Sequence, residues 1–376
     1  VEKNRNLKEI TQLFLKLGIT AFGGPAAHIA MMQQEVVVKK KWISEQHFLD
    51  LLGATNLIPG PNSTEMAIHI GYERGGWKGL IIAGLCFILP AVFITLLFAV
   101  LYHNYGQLPE IQPFIYGIKP AIIAVIIGAA YPLAKKSIKS LFLGLIGLAV
   151  LIASLLGANE IYLMFGAGLL AYLLYSIKNN TIQNFIPFAY IKISQISFWD
   201  ATNIKLFFIF LKIGAILYGS GYVLFAFLDT ELVQAGLLTR KQLIDAIAVG
   251  QFTPGPVFSS VTFIGYQING LYGAIVSTIA IFFPSFVLVA FLNPLVKKMR
   301  SSKGLSVFLD AVNVASVAII LSVCLVMGKE SIVDWRTIVI AIISGIIVFK
   351  FKNINTAFIV AGGALLGFVL FHIQLD

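Results

Sequence analysis

Two stretches of the chain combine the same backbone-breaking triplet with the same kind of polar side chain. The first is Asn56-Leu57-Ile58-Pro59-Gly60-Pro61-Asn62-Ser63-Thr64-Glu65; the second is Gln251-Phe252-Thr253-Pro254-Gly255-Pro256, followed by Ser259 and Ser260. Pro-Gly-Pro withholds two backbone donors and inserts a residue with no side chain to restrict it, so a helix must break there. The helix that resumes presents unsatisfied N–H groups and the positive end of its dipole, which suits an anion. Asn56, Asn62, Ser63 and Thr64 around one triplet, and Gln251, Thr253, Ser259 and Ser260 around the other, add neutral hydrogen-bonding groups. A pair of packing kinks is the alternative. Two matched triplets ringed by hydroxyls and amides favour a binding site.

A second pair of small-residue stretches, Gly23-Gly24-Pro25 and Gly219-Ser220-Gly221, is open to two readings: breaks that face the first pair, or close helix packing through small residues. Charges inside apolar sequence are few, and each is a candidate. Lys16 and Lys212 hold matched positions and could neutralise a dianion, or snorkel to the surface. Lys119 lies deeper in its segment, opposite Asn313. Glu65 has no acidic twin and is the candidate for proton coupling; its other reading is a structural partner of Lys16 or Arg74. His28 is a second titratable candidate, although His28 and His69 both read more simply as satisfied core histidines. Asp50 and Asp245 are matched and expected near an interface. Cys86 and Cys324 lie in apolar runs without metal-ligand spacing, as packed hydrophobes. No metal, cofactor or catalytic group is expected.

These groups sit in a chain of 376 residues that is 58% hydrophobic and 12% charged, with a mean hydropathy of +0.89. Soluble domains carry about 25% charged residues, so lipid is the expected solvent. Apolar runs approaching the ~20 residues needed to span a bilayer recur at Trp77–Tyr102, Pro113–Pro132, Leu141–Leu155, Ile161–Ile177, Leu271–Leu295, Leu305–Met327, Thr337–Phe349 and Ala357–Phe371. The shorter ones need part of their flanks to cross. The formal net charge of +10 fits basic cytoplasmic loops and implies no nucleic acid. The polar opening, Val1 to Glu9, is not expected to be a cleavable signal peptide.

The chain repeats itself. Phe14-Leu15-Lys16-Leu17-Gly18 returns as Phe210-Leu211-Lys212-Ile213-Gly214, Glu35 as Glu231, Pro59-Gly60-Pro61 as Pro254-Gly255-Pro256, Gly71-Tyr72 as Gly265-Tyr266, and Pro90 as Pro284. A register of about 195 residues held this far marks a duplication. Residues 1–178 form the first repeat, 179–200 a linker and 201–376 the second. In each, a first segment with a Gly-rich break (Ile10–Ala30; Lys205–Leu228) leads to Trp42-Ile43-Ser44 or Leu237-Leu238-Thr239, read as a helix N-cap. A segment broken at Pro-Gly-Pro and four cleaner helices follow. Arg74 and Lys78 precede the third segment of the first repeat, whereas Lys297, Lys298, Arg300 and Lys303 follow that of the second, so the positive-inside rule points the repeats in opposite directions. Six crossings per repeat would make them parallel, so either the linker crosses or a broken segment does not. Lys39, Lys40 and Lys41 stand against this, because a simple hairpin places them outside. The expected fold is an all-α integral membrane protein of two six-segment repeats, inverted, whose Pro-Gly-Pro-broken helices meet near the midplane.

On Phe22-Gly23-Gly24-Pro25-Ala26-Ala27-His28, the first Pro-Gly-Pro motif, Gly250-Gln251-Phe252-Thr253-Pro254-Gly255-Pro256 and Pro284-Ser285-Phe286, the chain resembles the chromate ion transporter family in its long, two-domain form, over roughly residues 10 to 373. It departs at Tyr218-Gly219-Ser220-Gly221, where an FGGG-like run is usual, and at Glu73 beside Arg74. The resemblance implies a multi-pass bacterial inner-membrane carrier that expels chromate, with sulfate competing. Both are tetrahedral dianions with only acceptor atoms, matching a donor-only site; an ionised Glu65 beside them would repel. An inward oxyanion permease, and a lipid scramblase or structural membrane protein, are the rival readings. Lipid and the oxyanion are the expected partners, and a homodimer is left open.

Overall fold

The computed structural model describes residues 2–22, 24–106, 108–179, 201–218, 221–292, 303–351 and 354–372. Among them all regular structure is helical. The first repeat holds α1 (Glu2–Thr20), α2 (Gly24–Gln33), α3 (Glu45–Thr55), α4 (Asn62–Tyr105), α5 (Gln112–Ser137), α6 (Leu141–Leu155) and α7 (Glu160–Asn179). The second repeats the series as α8 (Ala201–Ile216), α9 (Val223–Leu228), α10 (Arg240–Phe252), α11 (Ser260–Leu292), α12 (Lys303–Ser331), α13 (Trp335–Lys350) and α14 (Thr356–Phe371). A π-helical turn follows both α2 (Gln34–Lys39) and α9 (Asp229–Val233). The linker, from residue 180 to 200, and the basic residues Lys297, Lys298 and Arg300 lie outside the described residues.

The two N-caps form as their residue types require. Ser44 Oγ accepts from the His47 amide at 3.2 Å, and Thr239 closes a capping box with Gln242. At α4 and α11 the sequence pattern understates the structure. Each is a hairpin, folded at Gly76 (φ +59) and at Asn269-Gly270 (φ +58 at the glycine). A Cβ on Gly71 would come within 2.4 Å of the Gly79 carbonyl oxygen, and Thr262 meets Thr278 at 2.7 Å, so the short arm of each hairpin lies along its own long arm.

The first segment and the Pro-Gly-Pro segment of the first repeat both start and finish at one end of the molecule. Arg74, at the fold of the α4 hairpin, pairs with Glu9 on α1 at 3.1 Å and stacks on Trp42, which also carries Lys40. His47, in the first turn of α3, reaches Glu73 at 3.3 Å. The chain thus enters along α1, returns along α2, enters along α3 and returns along the short arm of α4. The expectation that a simple hairpin separates Lys39–Lys41 from Arg74 is corrected: the broken first segment turns back, and Lys40 and Arg74 share Trp42 at one end of the molecule. In the second repeat the matching base lies at the other end of the α4 long arm. Gln267 donates to the Ala99 carbonyl at 3.1 Å and Tyr102 to Asp245 at 2.6 Å, while Phe286 packs on Gly84. The long arms of α4 and α11 are therefore antiparallel.

The outer helices present apolar side chains outward. Phe93, Leu97, Leu141, Leu145 and Phe358 are 57% or more exposed, a surface stable in lipid and not in water. Among the described residues, five helices are long and apolar enough to span a bilayer. The 15-residue α6 extends only about 22 Å at ~1.5 Å per residue, short of a ~30 Å hydrocarbon core.

Candidate functional site

The two Pro-Gly-Pro links lie inside the protein, against each other's repeat. Pro59, Gly60, Pro61, Pro254, Gly255 and Pro256 are all buried. Gly60 has φ +136 and Gly255 φ +86, conformations that only glycine adopts without strain. The Gly60 amide donates to the carbonyl of Leu217, one residue past α8, at 2.8 Å; the Gly255 amide donates to Ala21, one residue past α1, also at 2.8 Å. Each triplet in one repeat thus caps the broken first segment of the other. The two pairs of breaks face one another, and Gly24, with φ +80, begins α2 beside the Tyr222 hydroxyl. Gly23, Gly219 and Ser220 lie outside the described residues.

This interlock changes which donors are open. The amides of Gly60 and Gly255 are not open to an anion, because each already satisfies a carbonyl. Thr64 and Glu65 return their amides to Pro61 at 2.7 and 3.1 Å, and Ser259 returns its own to Pro256 at 2.9 Å. The amides of Asn62 and Ser63 in one repeat, and of Val257 and Phe258 in the other, are left as the first-turn orphans every helix start carries.

Around the crossing, buried polar side chains lack partners. Thr64, Glu65, Ser260, Ser277 and Ser285 are wholly buried, and Gln251 is 5% exposed. Among the described residues, Thr64 Oγ1, both Glu65 oxygens, Gln251 Nε2 and the hydroxyls of Ser260, Ser277 and Ser285 have no hydrogen-bond partner. Leaving such a group unmade costs about 1–3 kcal/mol, which makes these side chains the candidates for contact with a polar ligand. The Glu65 carboxylate folds over Gly60, where Ser285 Oγ would stand 2.8 Å from an added Cβ; the hydroxyl faces the carboxylate without a bond of ordinary geometry. His28 Nδ1 lies 3.4 Å from Ser63 Oγ, and Ser259 meets Thr95 of α4 at 3.4 Å.

Not every candidate joins this cluster. Asn56 is exposed and accepts from Asn62 at 2.9 Å, a clasp at the edge of the break. Thr253 Oγ1 turns back to the Gly250 carbonyl at 3.2 Å. Lys16 pairs with Glu35 at 3.0 Å and Lys212 with Glu231 at 2.6 Å, equivalent ion pairs with the lysine side chains 58% and 38% exposed. Lys119 faces Asp245 at 3.7 Å. Asp245 is 4% exposed and bridges the repeats through Tyr102, which corrects its expected place at an interface with water. Glu65 has neither of its expected cationic partners, since Lys16 and Arg74 are taken by Glu35 and Glu9. Ser285 and Tyr222 were not among the expected site residues; Ser285 lies within Pro284-Ser285-Phe286, beside the proline matched to Pro90.

A multi-pass helical membrane protein whose two homologous halves bring paired helix breaks to one buried polar crossing has the architecture of a secondary transporter. The comparisons agree. The sequence model described as chromate transporter matches residues 8–172 and again 204–368, and the chain belongs to that family. It is 32% identical to a chromate transport protein of Cupriavidus metallidurans, over 97% of this chain and 93% of the relative. It is also 32% identical to a probable chromate transport protein of Synechococcus elongatus, over 97% and 95%. A chromate transport protein of Pseudomonas aeruginosa is 26% identical over 96% and 92%. No solved structure matches.

Proposed function

We propose that this transporter exports chromate and sulfate-like dianions across the bacterial inner membrane, driven by the membrane potential, with Glu65 as the proton-carrying group. The observation that carries the reading is the reciprocal capping of the Leu217 carbonyl by the Gly60 amide and of the Ala21 carbonyl by the Gly255 amide, because it locks the start of each resumed helix against the broken first segment of the other repeat. A tetrahedral dianion needs only donors, and the orphan amides of Asn62, Ser63, Val257 and Phe258 with the hydroxyls of Ser63, Thr64 and Ser260 are such a set. The closed packing is then an occluded form, and substrate entry requires the two repeats to part on one side. The antiparallel long arms support opposed repeats.

Direction follows from the field. One elementary charge crossing 100 mV is worth about 2.3 kcal/mol, so a dianion leaving an inside-negative cell gains roughly 4.6 kcal/mol. Uptake would need several protons alongside. In proteoliposomes held inside-positive, chromate uptake should follow the imposed voltage and be competed by sulfate. Flux insensitive to voltage sinks the electrogenic reading, and labelled sulfate moving only inward would favour a permease.

A further inference from the structure

We propose that His69 relays protons between Glu65 at the crossing and the His47–Glu73 pair at the molecule's edge, so that the short arm of α4 is a proton path. The inference rests on the proton role proposed for Glu65. Glu65, His69 and Glu73 are spaced by four residues, which stacks them on one helix face. From first to last the rise is about 12 Å at ~1.5 Å per residue, and the hairpin keeps this arm helical until Gly76. At the inner end Glu65 is wholly buried with both oxygens unpartnered. In the middle His69 is 1% exposed, and neither ring nitrogen has a partner among the described residues. At the outer end Glu73 meets His47 at 3.3 Å, with 32% and 41% of the two side chains exposed.

The duplication supplies an internal comparison. Counted from the equivalent glycines Gly71 and Gly265, the second repeat carries Ser259, Phe263 and Gln267 where the first has Glu65, His69 and Glu73; counted from the N-caps Ser44 and Thr239, it carries Gln242 for His47. Every titratable member has a non-titratable counterpart. Those counterparts have structural work: Phe263 packs on Tyr102, Gln242 closes the capping box, and Gln267 bonds Ala99. His69 makes no polar contact that would explain an imidazole where the other repeat uses a phenyl ring.

In the transfer, one ring nitrogen of His69 takes a proton from the His47–Glu73 pair while the other gives its proton to the Glu65 carboxylate. His69 ends neutral in its second tautomer, and ring rotation restores the first. The neighbouring elements are sparse in competing groups. The short arm itself adds Tyr72 and Arg74; α1 brings Lys8, Glu9 paired to Arg74, and Lys16 paired to Glu35; α2 brings His28; α3 brings Glu45 and Asp50. The long arm of α4 brings Lys78, and from the second repeat comes Tyr218, close to Glu65.

The test uses the full chain in proteoliposomes with a trapped pH dye, reading proton movement and labelled chromate flux together at several pH values. His69→Phe and Glu73→Gln, which install the second repeat's residues, should each cut chromate-coupled proton movement at least tenfold and flatten the pH profile. The melting shift produced by chromate should stay as in the unmodified protein. His69→Gln serves as a second variant should the phenyl ring fail to pack. If Glu65→Gln abolishes proton movement while either His69 variant preserves it, the relay is overturned and the Glu65 role stands. If the unmodified protein moves chromate without protons, the relay and the Glu65 role fall together and voltage-driven export remains.

Discussion

The amide of Gly60 donates to the carbonyl of Leu217 across the two halves of the molecule, and its counterpart Gly255 does the same to Ala21, each over 2.8 Å. A helix that breaks leaves carbonyls without partners, and buried carbonyls need them. Here each half supplies the missing donor from its own Pro-Gly-Pro turn. The breaks therefore stabilise one another, and neither half can complete the crossing alone.

Replacing either glycine should be costly. At Gly60 a Cβ would overlap the Glu65 carboxylate, and at Gly255 it would stand 3.0 Å from Ala91, in both cases at positive φ. Gly60→Ala and Gly255→Ala should each lose about 1–3 kcal/mol of stability, read as a lower melting temperature in detergent, together with transport. Gly345→Ala, in a helix with open space around it, is the control and should be neutral or slightly stabilising. Equal behaviour of all three would show that the crossing is not strained.

Glu65→Gln keeps the shape and removes the titrating group. It should flatten the pH dependence of chromate flux while leaving the melting shift produced by chromate within about twofold in apparent affinity, because an ionised carboxylate is not part of a donor-only site. A pH profile unchanged from the original protein would remove Glu65 from the coupling.

Lys119 tests whether a buried cation attracts the substrate or only balances Asp245. Removing one partner of a buried pair strands the other and costs about 3–5 kcal/mol. Lys119→Met alone should be strongly destabilised, and Lys119→Met with Asp245→Asn should recover most of that loss. If the recovered double variant still shows the chromate melting shift, the pair is structural; if the shift is gone, Lys119 belongs to the substrate path.

Lys16 and Lys212 make the opposite prediction. Their pairs with Glu35 and Glu231 are exposed on the lysine side, and exposed pairs contribute about 0–1 kcal/mol. Lys16→Met and Lys212→Met should leave both stability and the chromate melting shift nearly unchanged. A large loss of anion binding in either would place these lysines on the substrate route.

The sequence by itself determined the solvent, the duplication and the two Pro-Gly-Pro places where helices break. Those properties are local: apolar length selects lipid, a held register reveals a repeat, and Pro-Gly-Pro breaks a helix whatever surrounds it. The N-caps at Ser44 and Thr239 were legible for the same reason. Only the tertiary structure decided what the breaks do. It turned α4 and α11 into hairpins through the Gly71–Gly79 and Gly265–Gly273 contacts, so the short arm of each folds back along its own long arm. It also assigned the charges, giving Lys16 to Glu35, Arg74 to Glu9 and Lys119 to Asp245, and leaving Glu65 without a cation. Partner choice depends on which distant elements are brought within a few ångströms, and spacing along a chain carries no such information for residues as far apart as Lys119 and Asp245.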